Sequence, residues 1–64
     1  MKKGGKNVIN YIILEEYSSS LKAWTRIREF RIEEIELAKA YLKVYREKYK
    51  KIGIKHRLVE VLND

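Results

Sequence analysis

No cysteine and no proline occur among the 64 residues, and glutamine is absent too. The lack of cysteine excludes a disulfide framework, a thiolate metal site and a cysteine nucleophile. One histidine, His56, excludes a histidine cluster for zinc and leaves no partner set for a Ser-His-Asp arrangement. Long apolar runs are missing: the longest is Tyr11-Ile12-Ile13-Leu14, far short of the roughly 20 residues that span a bilayer. Residues 1–10 hold no apolar stretch or small-residue cleavage site of the secretory kind, so a cytoplasmic setting is expected. Acidic charge is also scarce. Nine Asp and Glu face 15 Lys and Arg, for a net charge of +6.

What is present excludes a disordered tail, because 45% of the residues are apolar and 11% aromatic. Few thermolabile residues beside many Lys and Glu fit a thermophile. A chain this short buries only about 60% of its unfolded surface. Without disulfides or metal the usual remedy is an oligomer, so a homodimer is expected.

Residues 1–6 (MKKGGK) read as a flexible basic arm, and 7–64 as one helical domain. Over 7–17 a helix puts Val8, Ile9, Ile12, Ile13 and Tyr17 on one face, with Asn7 as its N-cap. The β-branched residues also suit a strand. Its alternation is poor, and no second strand with a tight Gly or Asn turn follows. A lone strand over 8–14 would have to pair across a dimer, as in ribbon-helix-helix repressors, and the helix is the favoured reading. The serine triplet Ser18-Ser19-Ser20 marks a break, since serine suits caps better than helix interiors.

From Leu21 to Ile52 there is no glycine. Ile35, Ala38, Leu42, Tyr45, Tyr49 and Ile52 step at 3-4-3-4-3, a helical seam expected to form the dimer interface. Upstream the apolar face shifts to Ile27, Phe30 and Ile32, which places a kink near 30–32. Glu33, Glu34 and Glu36 crowd the start of the following helix and Lys48, Lys50 and Lys51 its end, as the macrodipole favours. Gly53 closes that helix, and 54–64 read as a short C-terminal helix with Ile54, Leu58, Val61 and Leu62 on its apolar side. The expected fold is therefore all-α: a short helix, a long or kinked basic amphipathic helix and a short C-terminal helix, paired as a helical-bundle homodimer.

Ile52-Gly53-Ile54 followed by Val59 and Leu62 resembles the second half of the repressor-type helix-turn-helix signature, over about 20 residues. Tyr49 stands where that signature has a small residue, and an ordinary glycine-capped helix followed by a docking helix is the other reading. The resemblance implies that Lys55, His56 and Arg57 open a recognition helix.

Charge points the same way. Lys39, Lys43, Arg46, Lys48, Lys50, Lys51, Lys55 and Arg57 stand against Glu47 alone, and Arg26, Arg28 and Arg31 form a second cluster. Such density favours polyanions, and guanidinium groups bind phosphate in bidentate fashion. The candidate nucleic-acid-binding residues are Arg26, Arg28, Arg31, Lys50, Lys51, Lys55, His56 and Arg57. Tyr41, Tyr45 and Tyr49 form a stripe read as helix-packing surface, and Trp24 is read as core or interface. Neighbouring carboxylates such as Glu15-Glu16 diverge on a helix, so no acid–base pair, metal site or cofactor site is expected and the chain does not read as an enzyme. The expected function is that of a small DNA-binding regulatory protein, of the kind a virus or plasmid of a thermophile encodes, with DNA preferred to RNA. The alternative is a dimeric helical adaptor or inhibitor that binds another protein. Membrane binding is disfavoured, because the Tyr-rich face suits a protein partner better.

Overall fold

A computed structural model describes residues 8–63, so the expected basic arm at 1–6 and the Asn7 cap lie outside the described residues. The elements run β1 (Val8–Ser18), β2 (Ala23–Arg31), a 3-10 turn (Ile32–Glu34), α1 (Ile35–Lys48) and β3 (His56–Asn63). The strands form one antiparallel sheet in the order β2-β1-β3. Both β2 and β3 run against β1. The chain therefore crosses from one sheet edge to the other through α1, which packs on one face.

This corrects the all-α expectation and the helical bundle with it. Three segments expected to be helical are strands, and each has a physical reason. β1 is the central strand. Ile12 and Leu14 point toward α1 and are fully buried, while Ile13 points to the opposite face and is only 6% exposed. As the central strand, β1 buries Ile13 between the side chains of Glu29 and Val59 on the face that α1 leaves open, so the run Tyr11-Ile12-Ile13-Leu14 loses its alternation. Its partner β2 follows the serine turn directly, where Ser18 Oγ accepts a hydrogen bond from the Leu21 amide at 3.2 Å. Lys22 takes the left-handed conformation there (φ 55), so the hairpin closes without the Asn-Gly signal.

The alternation of β2 is broken by a bulge. Leu14 pairs with Arg28 and Glu15 with Arg26, leaving Ile27 as the extra residue. Two successive residues can then oppose one on the partner strand. Ile27 packs on the core, and Arg28 lies on the α1 side with its guanidinium 4.6 Å from the Tyr41 ring centroid. Arg26 and Arg31 stay opposite Glu15 and Tyr11, on the other face.

β3 replaces the expected C-terminal helix, so the second helix of a helix-turn-helix does not form. Leu58 pairs with Leu14 and Val59 with Ile13, giving each face of the central strand an apolar neighbour.

The helix over 35–48 follows the sequence pattern, but its seam has a different partner. Ile35, Ala38, Leu42 and Tyr45 pack on Ile12, Leu14 and Phe30 of the chain's own sheet. Ala38 is fully buried, its small side chain letting α1 approach the strands closely. The change of direction expected near 30–32 is where β2 ends and the 3-10 turn begins; Glu34 Oε1 caps it by accepting from the Arg31 amide at 2.9 Å.

Gly53 sits beyond α1, in the turn leading to β3, at φ +73. A Cβ placed there meets nothing within 4 Å, so only backbone strain opposes substitution. Gly53→Ala is expected to cost about 1 kcal/mol, the left-handed penalty alone, and Gly53→Asn less. Urea titration of both variants measures this; an unchanged midpoint for Gly53→Ala would remove the turn constraint.

Candidate nucleic-acid interface on the open sheet face

α1 occupies one sheet face, and no other element among the described residues covers the second. Cross-strand pairing determines what that open face carries. Tyr11, Ile13, Glu15 and Tyr17 come from β1, Trp24, Arg26, Glu29 and Arg31 from β2, and Arg57, Val59 and Val61 from β3.

One array there crosses all three strands. Arg57 Nε donates to Glu15 Oε1 at 2.8 Å. The same guanidinium lies 4.1 Å from the Trp24 ring centroid. Trp24 in turn meets Tyr17 edge to face, with centroids 5.4 Å apart. The carboxylate orients the guanidinium and the guanidinium stacks on the indole, a cation–π contact strengthened by partial desolvation. Both aromatic rings are only half-buried. Elsewhere on this face Arg26 pairs with Glu29 at 3.4 Å, and Arg31 reaches Glu33 at 4.0 Å. These exposed pairs are weak, and both arginines remain open to a competing phosphate.

Where the array meets the 49–55 loop, the surface is concave. Tyr17, Ser19, Trp24, Ile52, Gly53, Ile54 and Lys55 line a half-open hollow of about 470 Å³. A second of about 430 Å³ adjoins it, lined by Trp24, Arg46, Ile54, Lys55, His56 and Arg57. The Tyr17 amide donates to the Lys55 carbonyl at 2.9 Å, holding the loop to the end of β1. Arg46 Nη2 donates to the His56 carbonyl at 3.3 Å, tying α1 to the start of β3.

The eight candidate nucleic-acid-binding residues are thereby sorted. Arg26, Arg31 and Arg57 share the open face, and Lys55 stands at its end beside the hollows. Lys50 and Lys51 are exposed in the loop leading to them. Arg28 is on the opposite face, over Tyr41 and Phe30. His56 is buried under α1 against the stacked pair Tyr45 and Tyr49, at centroid distances of 5.2 and 5.3 Å. Of the expected dimer seam, Ile35, Ala38, Leu42 and Tyr45 are spent on the sheet, Tyr49 stacks on Tyr45 and His56, and Ile52 lines the first hollow. Trp24, expected in the core or an interface, and Tyr17, expected on the apolar face of a helix, instead meet on the open face. Only their place opposite one another in a hairpin reveals them, and the hairpin itself was hidden.

Neither ring nitrogen of His56 has a hydrogen-bond partner, and Nε2 lies 3.6 Å from Glu16 Oε2, beyond hydrogen-bonding distance. The imidazole thus acts mainly as a packed ring. His56→Phe, which keeps the ring contacts and removes two unpartnered polar atoms, is expected to hold stability within about 1 kcal/mol. His56→Ala is expected to lose about 2 kcal/mol through the cavity left beneath Tyr45 and Tyr49. Thermal melts of the two variants separate these outcomes, and equal losses would mean that the nitrogens matter.

Among the described residues no group of three or more His, Asp or Glu is placed to hold a metal ion. No helix among them is long and apolar enough to cross a membrane. Comparison with known protein families, with curated proteins and with solved structures finds no match.

Proposed function

We propose that this chain is a small basic nucleic-acid-binding protein, acting in the cytoplasm as a DNA-binding regulator, and that it binds through the open sheet face. The observation that carries this reading is the Glu15–Arg57–Trp24–Tyr17 array, bordered by Lys55, with Lys50 and Lys51 exposed in the loop that leads to it. An uncovered sheet that presents aromatic rings beside guanidinium and ammonium groups suits a ligand with flat bases and a phosphate backbone. Phosphate contacts would come from Arg26, Arg31, Lys50, Lys51, Lys55 and Arg57. Arg28 and His56 are assigned no ligand contact, because the fold turns them toward α1.

A salt-titrated binding assay with DNA and RNA tests the reading. Log affinity should fall linearly with log salt, by about 0.9 per phosphate contact on duplex DNA and about 0.7 on a single strand. Affinity indifferent to salt, or none at low salt, would contradict it.

A dimeric adaptor that binds another protein is the second reading, and one observation favours it. Leu37, Ala40, Tyr41, Val44 and Tyr45 line a wholly apolar hollow on α1, with Leu37 44% and Val44 60% exposed. An apolar stripe on an otherwise polar helix face marks an interaction surface. Sedimentation equilibrium distinguishes the cases: dissociation of a dimer by Val44→Glu supports the adaptor, and a monomer at all concentrations removes the homodimer.

A further inference from the structure

The two hollows share a wall formed by Trp24, Ile54 and Lys55, and their remaining linings differ in chemistry. The first adds Tyr17, Ser19, Ile52 and the bare backbone of Gly53, a slot with aromatic and aliphatic walls and a polar margin. The second adds Arg46 and Arg57, so that three cations meet there with Lys55. An aromatic-walled, mainly apolar slot joined to a cationic niche matches the two ends of a nucleotide, a planar base and a phosphate.

Two further features fit an occupant of that kind. Ile52 is 67% exposed although it is a large aliphatic residue, and a base seated in the slot would cover it. Trp24 is held in place before any ligand arrives, since Arg57 stacks on its ring and Arg57 is itself anchored to Glu15. A wall already fixed loses little freedom on binding. Arg57 engages Glu15 through Nε, and its Nη end is the part of the fork left for a phosphate.

We propose that the paired hollows seat one nucleotide of a single-stranded nucleic acid, its base against Trp24 and Tyr17 and its phosphate among Arg46, Lys55 and Arg57. The assignment rests on the nucleic-acid-binding reading above and specifies its substrate class. In a duplex the bases are stacked and paired, and one could enter the slot only after being extruded from the helix. Single strands offer their bases freely, and stacking on aromatic side chains tolerates any sequence.

Trp24 is the only tryptophan of the chain, so its fluorescence reports on the slot directly. The full chain would be titrated at about 150 mM salt with single-stranded oligothymidylate, with a duplex of the same length and with inorganic polyphosphate. Saturable quenching is expected with the single strand, at an affinity roughly tenfold or more above that for the duplex. Polyphosphate should bind without comparable quenching. In parallel, anisotropy of a labelled oligonucleotide would follow Ile52→Glu, which changes an exposed residue and whose fold circular dichroism checks. This variant should lose tenfold or more in single-strand affinity. Duplex and single strand bound equally, with no change in Trp24 emission and no effect of Ile52→Glu, would overturn the slot and leave the broader reading standing. Quenching by polyphosphate equal to that by oligothymidylate would also overturn it. Absence of binding to every nucleic acid would end both.

Discussion

Leu14→Ala is expected to leave the chain largely unfolded at room temperature. Leu14 lies in the middle of the central strand, fully buried, in register with Arg28 on one side and Leu58 on the other. It belongs to a core whose other fully or nearly fully buried members are Ile12, Phe30 and Ala38. Truncating such a leucine removes its transfer energy and leaves a cavity, at a cost of about 3–5 kcal/mol. A domain of this size, with no disulfide, has roughly 3–5 kcal/mol of net stability from a single core. One substitution therefore consumes nearly all of it. Leu21→Ala is the control: Leu21 sits in the β1–β2 turn at 68% exposure, and its loss should change stability by no more than about 0.5 kcal/mol. Urea unfolding followed by circular dichroism measures both. A cooperative, near-native transition for Leu14→Ala would mean that the stability lies elsewhere, for example in contacts between copies of the chain.

Changing Lys50, Lys51 and Lys55 together to Gln should produce the largest functional loss short of unfolding. All three are exposed, and the loop that carries them leads into the hollows beside Trp24. Loss of three phosphate contacts should shallow the slope of log affinity against log salt by about 2 on a single strand. The matching change of Lys39 and Lys43, exposed on α1, should leave the slope near its original value, because these residues belong to no part of the open face. Equal effects per lysine removed in the two sets would mean that net charge alone attracts the polyanion.

The sequence displayed α1 more openly than the sheet, for physical reasons. The Ile35-Ala38-Leu42-Tyr45 spacing records a helix with one buried face, whatever that face is buried against. Strand signals were disguised one at a time. β1 lacks alternation because, as the central strand, it buries Ile13 among side chains of β2 and β3 even on the face opposite α1. The Ile27 bulge shifts β2 by one residue midway, so no single period fits it. Ile54, Leu58 and Leu62 fall at helical spacing just upstream of and within β3, and that coincidence sustained the reading of a short C-terminal helix. Gly53 and the serine triplet were correctly legible as breaks, since turn chemistry is local. The cations of the candidate site were equally visible, but the face each occupies depends on strand register. That is why Arg28 and His56 were grouped with residues from which the fold separates them, and why Trp24 was read as core.

Amide chemical shifts of the isotopically labelled chain, followed during titration with a single-stranded oligonucleotide at about 150 mM salt, test the central claim most directly. The perturbed amides should form one contiguous patch, spanning 15–26 on the β1–β2 hairpin and 50–57 from the loop into β3, while the outer face of α1 around Leu37 and Val44 stays unchanged. Perturbations centred on α1, or spread evenly over every exposed lysine, would contradict it.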